Sequence, residues 1–87
     1  MELASFLKLV ADYVKADPDF CPRKDSRTMR WHATVDGRDF CLVITGTKFF
    51  DDRTNARGGG AIDLAMHVWG SSFKATVKRM QALGIGE

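Results

Sequence analysis

Apolar residues near the N-terminus recur at intervals of three and four. Leu3, Phe6, Leu7, Val10, Tyr13 and Val14 fall on one side of a helix, and Lys8, Asp12 and Lys15 fall on the other. This spacing predicts a helix over residues 2–16, ended by Asp17-Pro18, because the residue before proline is driven out of the helical region. Residues 17–28 are polar, hold two prolines and read as a loop. The period then changes to two. Met29–Val35 and Arg38–Ile44 are strand-like runs around Asp36-Gly37, a pair suited to a type I′ turn with positive φ at both central residues.

A two-residue turn fixes the register of that hairpin. Val35 faces Arg38, Ala33 faces Phe40 and Trp31 faces Leu42. One face then carries Trp31, Ala33, Val35, Phe40, Leu42 and Ile44 and must be core. The other shows Arg30, His32, Thr34, Asp39, Cys41 and Val43. A third strand, near Lys48–Phe50, follows a turn at Thr45-Gly46, and Asp51–Gly60 reads as a charged, glycine-rich loop. Ile62, Leu64, Ala65, Val68 and Trp69 predict a helix from Gly60 to Trp69 that Gly70 closes. Ser71 or Ser72 caps another, with apolar positions Phe73, Val77, Met80 and Leu83 and a stop at Gly84. The expected fold is α+β: an N-terminal helix, a small antiparallel three-stranded sheet and two C-terminal helices.

The chain has 87 residues, 45% of them hydrophobic and 28% charged, which suits one soluble domain and excludes a disordered or fibrous chain. No apolar run approaches the ~20 residues that span a bilayer. The N-terminus has no basic-then-apolar signal pattern, and two cysteines cannot make a disulfide scaffold, so no membrane association and a cytoplasmic location are expected. Net charge is only +2, but it is uneven. Between Cys21 and Gly60 eight basic residues face five aspartates, a net of +3, which tilts that stretch toward a polyanion.

Candidate chemistry is sparse. His32 and Cys41 lie opposite each other across the hairpin, and a third ligand from Cys21 or His67 would be needed to approach a zinc site, for which no paired Cys-x2-Cys spacing exists. Either cysteine with a histidine lacks a third orienting group, Asp51-Asp52 reads as a turn former and His67 as a helix-surface residue. No catalytic residue is expected. Gly58-Gly59-Gly60 ahead of a helix, with Lys48, Arg53 and Arg57 nearby, offers backbone N–H groups and cations to a phosphate backbone. Arg30, His32 and Thr34 on the open hairpin face are further candidates to meet a partner.

The order of these pieces resembles the zinc-binding domain of bacterial DnaG-type primases. Residues Cys21–Trp31, Lys48–Asp52, Gly58–Met66 and Gly70–Val77 resemble its successive motifs, and Asp12-Tyr13-Val14 its first helix. Of the four ligand positions only Cys21 remains. Lys24 stands at the histidine position, and Phe49 and Asp52 stand at the later cysteines. The resemblance therefore implies a zinc-ribbon-like scaffold without metal or other cofactor, in which packing of Phe49 replaces the ion. Burial of a phenylalanine contributes about 1.5–3 kcal/mol, against about 10–16 for a structural zinc. It further implies a non-catalytic module that binds single-stranded DNA as a replication or primase accessory of a plasmid, phage or other mobile element, with a primase, helicase or other protein as a further partner. The residues carried over for DNA are Arg27, Arg30, His32, Lys48, Arg53 and Arg57, with the amides of Gly58 and Gly59. The alternative is a small inhibitor or adaptor on the same scaffold, for example against a host defence nuclease.

Overall fold

The computed structural model describes residues 1–22 and 27–85. Residues 23–26 lie outside the described residues, and with them Lys24 at the histidine position of the resemblance. The elements run α1 (Leu3–Val10), β1 (Tyr13–Ala16), β2 (Met29–Val35), β3 (Arg38–Thr45), β4 (Lys48–Asp51), β5 (Arg57–Gly59), α2 (Ala61–Trp69) and α3 (Phe73–Ala82). The five strands form one antiparallel sheet in the order β1-β2-β3-β4-β5. The three-stranded, zinc-ribbon-like sheet expected from the sequence is therefore corrected to a five-stranded one, with a strand added at each edge.

Each addition has a physical cause. The helix expected over residues 2–16 ends at Val10, where Ala11 turns extended while its N–H still donates to Leu7 O. Tyr13–Ala16 then pairs with β2, and the Asp12 and Asp17 N–H groups donate to Thr34 O and Arg30 O at 2.7 and 2.8 Å. Val14 and Ala16 turn inward and Tyr13 and Lys15 outward, so these residues satisfy a period of two as well as one of 3.6. The unpaired edge of β2 decides between the two. At the other edge, Asp51 and Ala56 close a turn, and Gly58 lies opposite Phe49. A Cβ on Gly58 would sit 3.0 Å from the Phe49 ring and 3.2 Å from Asp63, so a larger residue would push both aside by a few tenths of an ångström and glycine suits the close approach of β5.

The β2–β3 hairpin has the expected register, from Val35 opposite Arg38 to Met29 opposite Ile44. Its turn holds Asp36 at φ 52° and Gly37 at φ 79°, the geometry of type I′. All three helices bury their apolar sides on one face of the sheet. Leu3, Phe6 and Leu7 of α1 meet Ala33, Val35, Leu42, Ile44 and Phe49 of the sheet, and Leu64, Ala65, Val68 and Trp69 of α2 and Met80 of α3 complete the core. Phe49 is 5% exposed, as expected of a packing residue.

Side chains also lock the hairpin to the helices. Arg79 of α3 forks onto Asp36 with bonds of 2.8 and 3.1 Å and lies over Trp69 at 4.2 Å. Arg38 donates to Val68 O at 2.6 Å, satisfying a carbonyl at the end of α2 beside Gly70. Ser72 caps α3 by accepting from the Ala75 N–H.

Candidate nucleic-acid interface

Packing all helices on one side leaves the other face of the sheet without a covering helix among the described residues. Alternation along the strands delivers to it Tyr13 and Lys15 from β1, Arg30 and His32 from β2, Cys41 and Val43 from β3, Lys48 and Phe50 from β4 and Arg57 from β5. Four of the expected contact residues, Arg30, His32, Lys48 and Arg57, thus share one surface.

They do not share one environment. Arg30 lies 3.1 Å from Asp52 and 3.7 Å from Asp17, with its guanidinium over Phe20 at 5.1 Å. His32 is 3.3 Å from the same Asp17 carboxylate. The Asp19 backbone N–H and His32 hold the Asp17 carboxyl below the usual carboxylate range, so it stays ionised and offsets the Arg30 charge. Lys48 and Arg57 meet no carboxylate within ion-pair distance among the described residues. Arg57 lies over the Phe50 ring at 5.4 Å, and Lys48 sits beside it, two residues before Phe50 on the same face.

The other expected residues lie around this face. Arg53, exposed in the β4–β5 turn, donates to Asp39 O at 3.3 Å. Arg27 borders a depression of about 330 Å³ with Glu2, Thr45, Gly46, Thr47 and Lys48. The glycine amides are engaged within the chain itself. Gly59 N–H donates to Asp63 at 3.1 Å and Gly60 N–H to Thr47 O at 2.7 Å. Asp63 thereby places its charge in the first turn of α2, where the helix dipole favours an anion. A phosphate at Gly59 would have to displace that carboxylate.

Two features escape a reading of the sequence alone. Phe50 and Phe20 stand beneath open-face arginines, and for Phe50 the signal is present, since Phe49 inward requires Phe50 outward. The second is a buried pair. Asp51 is 1% exposed and accepts from His67 Nε2 at 2.5 Å and from the Arg53 amide at 2.8 Å. Burial works to raise its carboxyl, but these bonds outweigh that and hold it below the usual range. His67 is stacked on Phe49 and meets Phe40 edge-on, so it belongs to the packed layer behind β4 and not to the helix surface. No sequence signal joins positions 51 and 67.

The described positions matched to zinc ligands do not come together as a metal site. Cys21 is exposed, Phe49 is core and Asp52 is paired with Arg30. Among the described residues no group of three His, Cys, Asp or Glu is placed to hold an ion. Cys41, suggested as a ligand beside His32, instead donates weakly to Asp52 at 3.8 Å. Burial and the neighbouring Asp52 charge push its thiol up, which keeps it protonated near neutrality.

No protein-family model, curated protein or solved structure matches the chain. Among the described residues no helix is long and apolar enough to cross a membrane.

Proposed function

We propose that the protein binds single-stranded DNA on the open face of its sheet, as a non-catalytic accessory to replication or priming in a mobile genetic element, and that it works in the cytoplasm. The observation that carries this reading is the exposed Arg57 lying over Phe50, with Lys48 beside it and no acid neutralising either cation among the described residues. A single strand offers the two groups such a surface takes: phosphates for the cations and unstacked bases for the ring. Duplex DNA hides its base faces, so Phe50 would have nothing to stack on. Arg30 and His32 extend the track across the sheet with reduced net charge, and Arg27 and Arg53 border it. Gly58 and Gly59 contribute by letting the edge strand close against Phe49 and Asp63.

The test is fluorescence anisotropy of a labelled ~20-nucleotide strand at two salt concentrations, with a duplex of the same sequence as competitor. Binding should saturate, weaken at higher salt and resist duplex competition. Phe50→Ala should cost about 1–3 kcal/mol of affinity, the worth of one stacked base, with a smaller loss of stability than Phe49→Ala. Equal affinity for duplex, or full affinity in Phe50→Ala, would remove the stacking role and with it the single-strand preference.

A further inference from the structure

The side of the molecule away from the open sheet face carries a second surface. α2 and α3 form a helical hairpin, and a groove of about 460 Å³ runs between them, lined by Met1, Ile62, Val77, Met80 and Ile85 with Gln81 at its rim. Met1 and Ile62 are 61% and 37% exposed, and Phe73, 60% exposed, lies one turn before Val77 on the same side of α3.

The charges beside the groove indicate what fits it. Between Ser72 and Ile85 there are Lys74, Lys78 and Arg79 and no carboxylate. Arg79 is held by Asp36, whereas Lys74 and Lys78 are exposed and meet no acid among the described residues. Four residues apart, they form a positive strip next to that of Val77 and Gln81. Asp63, the acid of α2, is turned to the Gly59 amide at the helix start. We infer that this groove receives an amphipathic helix of a partner protein, seated by its apolar side on Ile62 and Val77, with acidic residues facing Lys74 and Lys78.

The form of the occupant follows from the walls. Two packed helices leave a groove that a third helix fills, and a helix supplies apolar side chains every three or four residues with acids on the adjoining strip. A second copy of this chain fits poorly, because α3 would bring its lysines against those of its twin. A nucleic acid would meet the lysines but leave the apolar floor unused. The surface is independent of the open sheet face, so either site can fail without the other.

The probe is a synthetic 18-residue helix with leucines at three- and four-residue spacing and glutamates beside them, titrated into the isotope-labelled full chain and followed by amide NMR shifts. A matched helix with lysines for the glutamates is the control. The acidic helix should give saturable shifts at Ile62, Val77 and Gln81, and the basic one should bind about tenfold more weakly, since like charges in contact are unfavourable. Lys74→Glu with Lys78→Glu, at exposed positions, should reverse that preference, and Ile62→Ser should weaken both helices. The inference is overturned by absence of saturable shifts, by equal binding of the two helices, or by shifts confined to Lys48–Arg57. Sedimentation showing that the protein alone dimerises, abolished by Ile62→Ser, would assign the groove to a second copy and overturn it as well.

Discussion

The two ends of the open sheet face have similar side chains and different electrostatics. At the β1–β2 end, Arg30 meets Asp17 and Asp52 and His32 meets the same Asp17, so the guanidinium there is already answered, and of the cations at that end only Lys15 has no acid within ion-pair distance among the described residues. At the β4–β5 end, Lys48 and Arg57 have no acid among the described residues, and Arg57 rests on a ring. Charge counting along the sequence treats these residues alike. The difference teaches that basic residues alike in sequence keep or lose an available charge according to what the fold places beside them. It also shows where the structural work is done: behind the unspent end, Phe49, His67 and Asp51 form a buried stack that supports β4.

The most severe way to break the comparison is through that support. Phe49→Ala should cost about 3–5 kcal/mol of stability, the usual range for a buried phenylalanine, whereas truncating its half-buried neighbour Phe50 should cost clearly less. Denaturant unfolding of both variants decides the matter, and equal midpoints would contradict the assignment of the two rings to opposite faces.

Next in size is the unspent charge itself. Lys48→Ala with Arg57→Ala should reduce single-strand affinity by about tenfold or more at low salt, and should flatten the logarithmic salt dependence by about 0.7 for each phosphate left without its cation. Arg30→Ala should change the slope less. A larger drop in affinity from Arg30→Ala than from the double variant would reverse the ranking of the two ends.

Acid should weaken the buried support. The Asp51 carboxyl titrates below its unfolded value of about 3.9. Its stabilising contribution is therefore complete above that pH and lost as pH falls through the lower folded value. Thermal midpoints measured from about pH 6 down to about pH 2.5 should drop over that window. In Asp51→Asn the drop should be shallower from a lower starting point, and an identical acid limb in the variant would exclude Asp51 as its source.

The smallest effect sharpens the comparison from the other side. Asp17→Asn with Asp52→Asn should release Arg30 and His32 and raise single-strand affinity about two- to threefold, in keeping with the modest strength of exposed ion pairs. Unchanged binding would mean that the β1–β2 end lies outside the DNA track.

Much of this fold can be read from the chain. The Asp36-Gly37 turn sets the register of the central hairpin, because two residues with positive φ admit one pairing. Alternation then assigns Ala33, Val35, Leu42 and Ile44 to the core. The C-terminal helices are legible from apolar spacing and from Gly70 and Ser72 at their ends. Less of the candidate interface can be read. Alternation puts Arg30 and His32 on one face, and the structure adds Lys48 and Arg57 to it. Asp17, however, belongs to a stretch that reads as loop, and its contacts with Arg30 and His32 depend on β1 pairing with β2. The Gly59 amide reads as a phosphate ligand because Asp63, four residues later, reads only as the polar side of a helix.

What the sequence determined by itself was local: turn chemistry, the two periods of hydrophobicity, and the caps, each set by backbone sterics or hydrogen bonds within a few residues. Only the tertiary structure decided the rest. Tyr13–Ala16 and Arg57–Gly59 became strands because unpaired hydrogen-bonding groups at the edges of β2 and β4 recruited them. Asp51 met His67, and Asp17 met Arg30 and His32, because the fold brought separate segments together. A charge's worth depends on what lies within a few ångströms of it, and that distance is set in space, not along the chain.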